Sequence, residues 1–423
     1  MIRVLWLCNM PLPFISEAAG IESSPFGGWL TGAYEGIKKN ELIKLGICFP
    51  TGGTTHIHGV AQNVSYYSFL CSNKINETVC KGYIAAFKYI LNNFKPDIVH
   101  IFGTERLHSY AMVKAFDFSD RTVINIQGLI GIYSQHYKAD LPLSVLYGKT
   151  LRNILKNDSV SSEIARNRRI GYFEDEAIRG CKHIIGRTDW DKACSGQINP
   201  ERVYHKCDET LRCEFYKHRW LYEKCKKHSI FVSQSNYPIK GFHYLLRAMP
   251  GILKRYPDTE IFTTGRSPFE TPWYKLSMYQ KYIKKLIRDN GLVKNVHYLG
   301  QLDEQGMCRQ YLNSNVFVSC STIENSPNSV GEAMILGVPV ISSDVGGVKN
   351  ILTHEVDGLI YQHDAVYMLA YYICVIFDDA EAAKQMGQKA HNSAARSHNS
   401  EKNGADLVNI YKEIYDENNS HMP

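Results

Sequence analysis

Short apolar runs alternate with longer segments of helical period along almost the whole chain. The runs at 2–8, 43–49, 98–102, 122–127 and 183–187 are rich in Val and Ile and predict strands. A second series follows at 229–233, 259–264, 296–300, 316–320 and 339–342. Between the runs, 77–94, 162–181, 241–256, 274–290 and 326–336 carry apolar residues at helical spacing. Continuous apolar strands followed by helices predict parallel sheets covered on both faces, an α/β chain. The series restarts near 229 after a polar, basic stretch, so a domain boundary is expected within 200–228. Residues 380–416 predict two terminal helices with no further strand.

Length and composition fit this pattern. The chain has 423 residues, more than one ordinary core holds and enough for two. The start, Ile2-Arg3-Val4-Leu5-Trp6-Leu7-Cys8, reads as a buried strand rather than a signal peptide. No run reaches the roughly 18 uninterrupted apolar residues of a membrane span. The 12 cysteines are scattered, with no Cys-x-x-Cys, which favours buried reduced thiols over a disulfide framework or a zinc site. A cytoplasmic protein is expected.

The net charge of +6 is uneven: residues 145–228 contain 18 Lys or Arg against 12 Asp or Glu, the whole excess. These charges read either as solvated helix faces or as a surface for peripheral contact with anionic lipid headgroups or a phosphorylated acceptor. Nucleic-acid binding is not expected, because acids interrupt the basic residues and no nucleic-acid module is visible. Residues 132–160 mix Tyr133, Tyr137, Leu141, Leu143, Leu146 and Tyr147 with Lys149, Arg152 and Lys156. Helix packing is the favoured reading there, over an interfacial segment.

In open parallel sheets, ligands bind beyond the carboxyl ends of strands, where loops enter helices. Three loops carry candidate chemistry. Ser321 to Ile341 leaves a buried strand, presents Glu324, and enters a helix that Ser326 is expected to cap, with Pro327 at its first position and Gly337 at its end. The free amides of such a helix start, at Ser326, Asn328 and Ser329, favour phosphate. Glu332 lies about a turn and a half further on, where a carboxylate can hold vicinal hydroxyls such as those of a ribose. The competing reading is a capping box between Ser329 and Glu332. The second loop, Phe231 to Phe242, brings Lys240 to a helix start, a compact charge suited to a diphosphate or an ordinary surface lysine. The third, Gly27-Gly28-Trp29-Leu30, is a close-approach loop or a plain tight turn.

The run Glu324, seven residues, Glu332-Ala333-Met334 and Gly337-Val338-Pro339-Val340-Ile341 resembles the signature of the retaining GT-B glycosyltransferases of family 4, glycosyl transferases group 1. Ser343-Asp344-Val345-Gly346-Gly347-Val348 and Asp357-Gly358-Leu359 extend the resemblance, as does Ile184 to Asp191, which is similar to members from bacterial capsule and exopolysaccharide clusters. The resemblance implies two Rossmann-like domains with parallel sheets facing across a cleft. Residues 1–205 would be the acceptor side and 206–400 the nucleotide-sugar side, with 401–423 a helix packing back on the first domain. It implies that Lys240 and Glu324 are catalytic, with Lys240 on the diphosphate and Glu324 on the transferred sugar. Glu332 would hold the ribose, Gly27 and Gly28 the phosphates, and Gly300, in Leu299-Gly300-Gln301-Leu302, the base. Gln234 stands near a family Arg and Gln127 near a family His that touches the sugar; Gln127 and Glu105 become candidate sugar or acceptor contacts.

Transfer from a UDP- or GDP-linked sugar builds negative charge on the departing diphosphate, which preorganised donors must stabilise. The resemblance implies a hexose-type sugar moved with retention to a glycan or lipid-linked acceptor, in surface polysaccharide synthesis. No separate cofactor and no metal are implied, and no Asp-x-Asp is placed for a diphosphate-bound cation. Acceptor contacts are expected in loops 51–65 and 130–160. Two rivals stay open: a nucleotide-sugar epimerase, and a non-catalytic glycosyltransferase-like partner subunit, to which Gln127 and Gln234 both point.

Overall fold

The computed structural model describes residues 1–22, 27–52 and 56–419. The chain divides into two compact units. The first comprises residues 1–132, 167–210 and 398–423, and the second residues 133–166 and 211–397. Residues 133–166 thus group with the later half of the sequence.

The first unit is built on eight strands: β1 (Ile2–Leu7), β2 (Ile43–Thr51), β3 (His58–Ala61), β4 (Val64–Leu70), β5 (Ile98–Phe102), β6 (Thr122–Asn125), β7 (His183–Gly186) and β8 (Val203–Lys206). Their order is β3-β4-β2-β1-β5-β6-β7-β8, parallel except for the β3–β4 hairpin. β1, β5 and β6 are almost wholly buried, as their mainly apolar content requires of a sheet covered on both faces. The hairpin occupies much of the loop expected to meet an acceptor; residues 53–55 of that loop lie outside the described residues. Gln62 and Asn63 make its two-residue turn with φ of 48° and 64°.

The last helix, Ser400–Asn419, packs on Gly28–Ile37. The helices meet at Gly36 and Gly404, where a Cβ on Gly404 would lie 2.4 Å from the Gly36 carbonyl oxygen. The same helix sends Tyr411 into the core. Trp6 donates its indole N–H to the Tyr411 hydroxyl at 2.8 Å, and that hydroxyl lies 2.5 Å from His100 Nδ1. His100 is a core histidine, stacked on Phe102.

The second unit carries β9 (Lys226–Val232), β10 (Glu260–Thr263), β11 (Val296–Tyr298), β12 (Ser314–Ser319), β13 (Val340–Ser343) and β14 (Leu359–Tyr361). The sheet is parallel throughout, in the order β11-β10-β9-β12-β13-β14. β9 and β12 are neighbours, so the loops leaving their carboxyl ends meet. Phe231 and Phe317 from these strands pack on Tyr311, with ring centroids 4.8 and 5.0 Å from it.

Residues 133–166 do not pack as a simple helix layer. Tyr137, Leu141 and Leu146 are buried, whereas Leu143, Tyr147, Leu151, Ile154 and Leu155 stand in solvent.

Burial holds His100 and His108 neutral, pulling both down to about 3. An unfolded histidine binds a proton below about pH 6.5, so each adds a stability that is lost as pH falls, by about 2 kcal/mol between about pH 7 and about pH 5. Urea unfolding of wild type and His100→Asn at both pH values checks this. The wild-type stability should fall by about 2 kcal/mol more than the variant's.

Candidate functional site

In the second unit the site grows from the β9 and β12 ends. Residues Pro238–Lys240 form a single 3-10 turn closed by Gly241 at φ 67°. A Cβ at Gly241 would lie 1.7 Å from the Cys320 carbonyl oxygen, so only glycine lets the two loops come this close. The Thr322 N–H donates to the Ile239 carbonyl at 2.9 Å and ties them together. On the far side Gly346, at φ 51°, sits where a Cβ would lie 1.9 Å from the Glu324 carbonyl oxygen, and the Gly347 N–H donates to that oxygen at 3.0 Å.

The Glu324 carbonyl is therefore held from the Gly346–Gly347 side, the loop ahead of it is tied down at Cys320 and Thr322, and the Glu324 side chain is buried. Lys240 Nζ lies 2.5 Å from Glu324 Oε1, and the Ser321 hydroxyl donates to the same oxygen at 2.7 Å. Lys240 keeps about a third of its side chain exposed (32%), so its charge can still be reached from solvent.

The helix Asn328–Leu336 begins one residue later than its sequence implied. Pro327 is the N-cap, in an extended conformation, and its carbonyl accepts from Val330 and Gly331. Ser326 lies outside the helix and does not cap it. No side chain caps this helix among the described residues, which leaves its first amides, at Asn328 and Ser329, available to an anion. The Asn328 side-chain oxygen is buried beside them without a hydrogen-bond partner among the described residues.

Glu332 does not complete a capping box with Ser329. Arg212 donates its Nε–H to Glu332 Oε1 at 2.7 Å, and the guanidinium lies 4.7 Å from the Phe215 ring centroid. Burial pushes the Glu332 carboxyl up, while the Arg212 charge and the Tyr311 hydroxyl pull against it. Arg212 was not legible as a site residue: it stands in the polar stretch ahead of β9, and only the fold brings it to the helix. Gln234 is exposed on the β9 loop. Gly300, at φ 70°, accepts from the Gly265 N–H at 2.8 Å, which pins the loop after β11.

The first unit holds the remaining candidates. Gly27, at φ 83°, is the N-cap of Gly28–Ile37, and a Cβ there would lie 2.4 Å from the Met10 sulfur. Gln127 follows β6 and donates to Asn125 at 2.9 Å and to Glu209. Glu209 is buried and pairs with Arg187, which follows β7 and also donates to the Ile126 carbonyl at 3.2 Å. His398 Nδ1 lies 2.6 Å from the Glu209 carbonyl oxygen. Glu105 folds over Gly103 after β5, and burial raises its carboxyl. Gln127 is thus one member of a buried polar cluster whose charged members, Arg187 and Glu209, sequence reasoning did not single out.

Part of the basic stretch 145–228 is neutralised by ion pairs. Arg152, Arg166, Arg179, Arg187, Arg212 and Lys217 each pair with a carboxylate. Asp189-Trp190-Asp191 spells Asp-x-Asp, but Asp191 is buried and accepts from the Arg187 and Thr188 amides and the Tyr204 hydroxyl, closing a capping box. Among the described residues no His, Cys, Asp and Glu cluster could hold a metal, and no helix is long and apolar enough to cross a membrane.

This fold has solved counterparts. The sucrose-phosphate synthase from Thermosynechococcus elongatus superposes with a TM-score of 0.73 at 15% identity, covering 98% of this chain and 99% of that one. Anabaena Alr3699/HepE, in complex with UDP-glucose, superposes with a TM-score of 0.66 at 14% identity, covering 97% of this chain and all of that chain (100%). The architecture is the α/β GT-B fold, with two sheets of parallel strands. Residues 215–393 match the family described as Glycosyl transferases group 1. A phosphatidyl-myo-inositol mannosyltransferase from Mycobacterium leprae is 25% identical over 160 residues, 37% of this chain and 39% of that protein. The sequence matches to the first three curated relatives span 45%, 62% and 39% of their lengths. The likeness to the glycosyl transferases group 1 family thus lies in residues 215–393, and the solved structures extend the likeness of fold to the rest of the chain.

Removing Arg212 strands a buried carboxylate. Arg212→Ala should cost about 3 kcal/mol in urea unfolding, and adding Glu332→Gln should recover part of that loss. Equal stability of wild type and Arg212→Ala would show that the pair does not hold Glu332 in place.

Proposed function

We propose that this protein is a retaining glycosyltransferase that moves a hexose-type sugar from a UDP- or GDP-linked donor to a glycan or lipid-linked acceptor, in the cytoplasm and in the service of a surface polysaccharide. The observation that carries the reading is the Lys240–Glu324 pair at the ends of two adjacent parallel strands, beside a helix start that no side chain caps.

In this reading Lys240 and the amides of Asn328 and Ser329 neutralise the diphosphate as the anomeric carbon–oxygen bond breaks and charge moves onto it. Glu324 turns from the ammonium to hydroxyls of the transferred sugar. Glu332, held by Arg212, takes the vicinal hydroxyls of the ribose. In the first unit, Gly27 and Gly28 are the candidates for phosphate contacts, and Gln127 and Glu105 those for the sugar or the acceptor. Gln234 brings no charge where the family resemblance implies an Arg, so Lys240 bears most of the clamping. The UDP-glucose bound to the Anabaena neighbour, and the likeness to a phosphatidyl-myo-inositol mannosyltransferase, are consistent with a nucleotide-sugar donor and a lipid-linked acceptor here.

A thermal-shift screen against nucleotides and nucleotide sugars finds the donor, because a ligand of the folded state raises its stability by mass action. With that donor, Lys240→Met should lower kcat/KM by about a hundredfold or more. Glu332→Gln should weaken the ribonucleotide and erase its preference over the 2′-deoxy analogue. Unchanged donor affinity in both variants rejects the assigned roles. A rearranged nucleotide sugar formed without acceptor makes the protein an epimerase, and a folded protein that neither binds nor turns over any donor makes it a non-catalytic subunit.

A further inference from the structure

Six large apolar side chains in the second unit, Leu143, Tyr147, Leu151, Ile154, Leu155 and Trp273, are each between 63% and 77% exposed. They come from two segments that adjoin. The turn Trp273–Lys275 packs beside the helix Leu151–Lys156. The Met278 N–H donates to Asn153 Oδ1 at 2.9 Å, and Gly148 lies against the Met278 side chain. Single exposed leucines are ordinary, but a contiguous group of this size is not.

The two segments that carry these side chains hold charges of one sign, with Asp158 and Glu270 just outside them. Residues 143–156 contain three Lys or Arg and no Asp or Glu; residues 271–285 contain four Lys and no Asp or Glu. Arg152 is paired with Asp158 at 2.6 Å and Lys285 with Asp289, but Lys149, Lys156, Lys275 and Lys281 have no carboxylate partner among the described residues. Lys281 and Lys275 lie 5.8 Å from the ring centroids of Trp273 and Tyr274. Exposed leucine and isoleucine, rimmed by Trp and Tyr and flanked by free lysines, match the chemistry of a surface that inserts shallowly at the headgroup boundary.

We propose that this patch docks the protein on the surface of an anionic phospholipid bilayer, the apolar side chains entering the headgroup layer and the lysines meeting lipid phosphates. A second copy of the chain fits less well, since a symmetric contact through this face would set like charges against each other. The docking surface is not the basic stretch 145–228 as a whole, in which Arg166, Arg179, Arg187 and Lys217 are paired with carboxylates. It is the start of that stretch joined to 271–285. Lipid binding through it does not depend on the transferase reading.

Co-sedimentation of the full chain tests the proposal, with vesicles of phosphatidylcholine alone and of phosphatidylcholine mixed with phosphatidylglycerol. Wild type should pellet with the mixed vesicles, less so at high salt, and not with the neutral ones. Leu151→Asp/Leu155→Asp should abolish pelleting, and Lys149→Glu/Lys156→Glu should weaken it by at least about fivefold for each lysine replaced. Tyr367→Asp, at an equally exposed site (75%) on another helix, should pellet as wild type does. All of these side chains are exposed, so unfolding midpoints should match wild type. Equal binding to both vesicle types, no binding to either, or unaltered pelleting of the patch variants overturns the proposal. So does a concentration-dependent dimer on size-exclusion chromatography that the same variants abolish without any vesicle binding.

Discussion

An ammonium and a carboxylate are held 2.5 Å apart in the second unit, at the ends of two neighbouring parallel strands. Their meeting follows from topology, because β9 and β12 lie side by side and their outgoing loops must share one edge of the sheet. It also follows from two glycines. Any Cβ at Gly241 or Gly346 would collide with a backbone carbonyl, so a larger residue at either place would force the loops apart. A buried carboxylate is costly unless paired, and Glu324 is paired twice, with Lys240 and with Ser321. Lys240 therefore has a standing partner that any anion entering the site must compete with.

Two more buried ion pairs fix polar side chains near the sheet edges, one in each unit. Arg212 orients Glu332 on the helix Asn328–Leu336, and Arg187 orients Glu209, to which Gln127 donates. Replacing such pairs by apolar groups can leave stability unchanged or improve it, so their evident physical role is geometric. Each leaves one polar side chain, Glu332 or Gln127, with little freedom to turn.

The main strands were legible because each is a buried run of Val and Ile flanked by helical periods. The sequence pattern missed β3, β4, β8 and β14 for separate reasons. β14 is three residues long, too short to show a period, and the hairpin turns on Gln62 and Asn63 rather than on glycine. The places of Glu324 and Lys240 beside a strand end or a helix start were readable from local spacing, as was that of Glu332 inside the helix Asn328–Leu336. Ser326 was misread as a cap because sequence cannot tell whether proline takes the N-cap or the first helical position. Arg212, Arg187 and Glu209 were invisible as a set because their partners are distant in sequence. Helix packing was the favoured reading of residues 132–160, and only the fold shows that Leu151 and Leu155 within them are exposed among the described residues.

The central claim is that Lys240 is shared between Glu324 and an incoming diphosphate. Titration calorimetry of the preferred nucleoside diphosphate, without sugar, against wild type and Glu324→Gln tests it directly. With the competing carboxylate neutralised, the diphosphate should bind more tightly to the variant than to wild type. Weaker binding to Glu324→Gln would mean that Glu324 supports the anion site rather than competing for its cation, and would contradict the account.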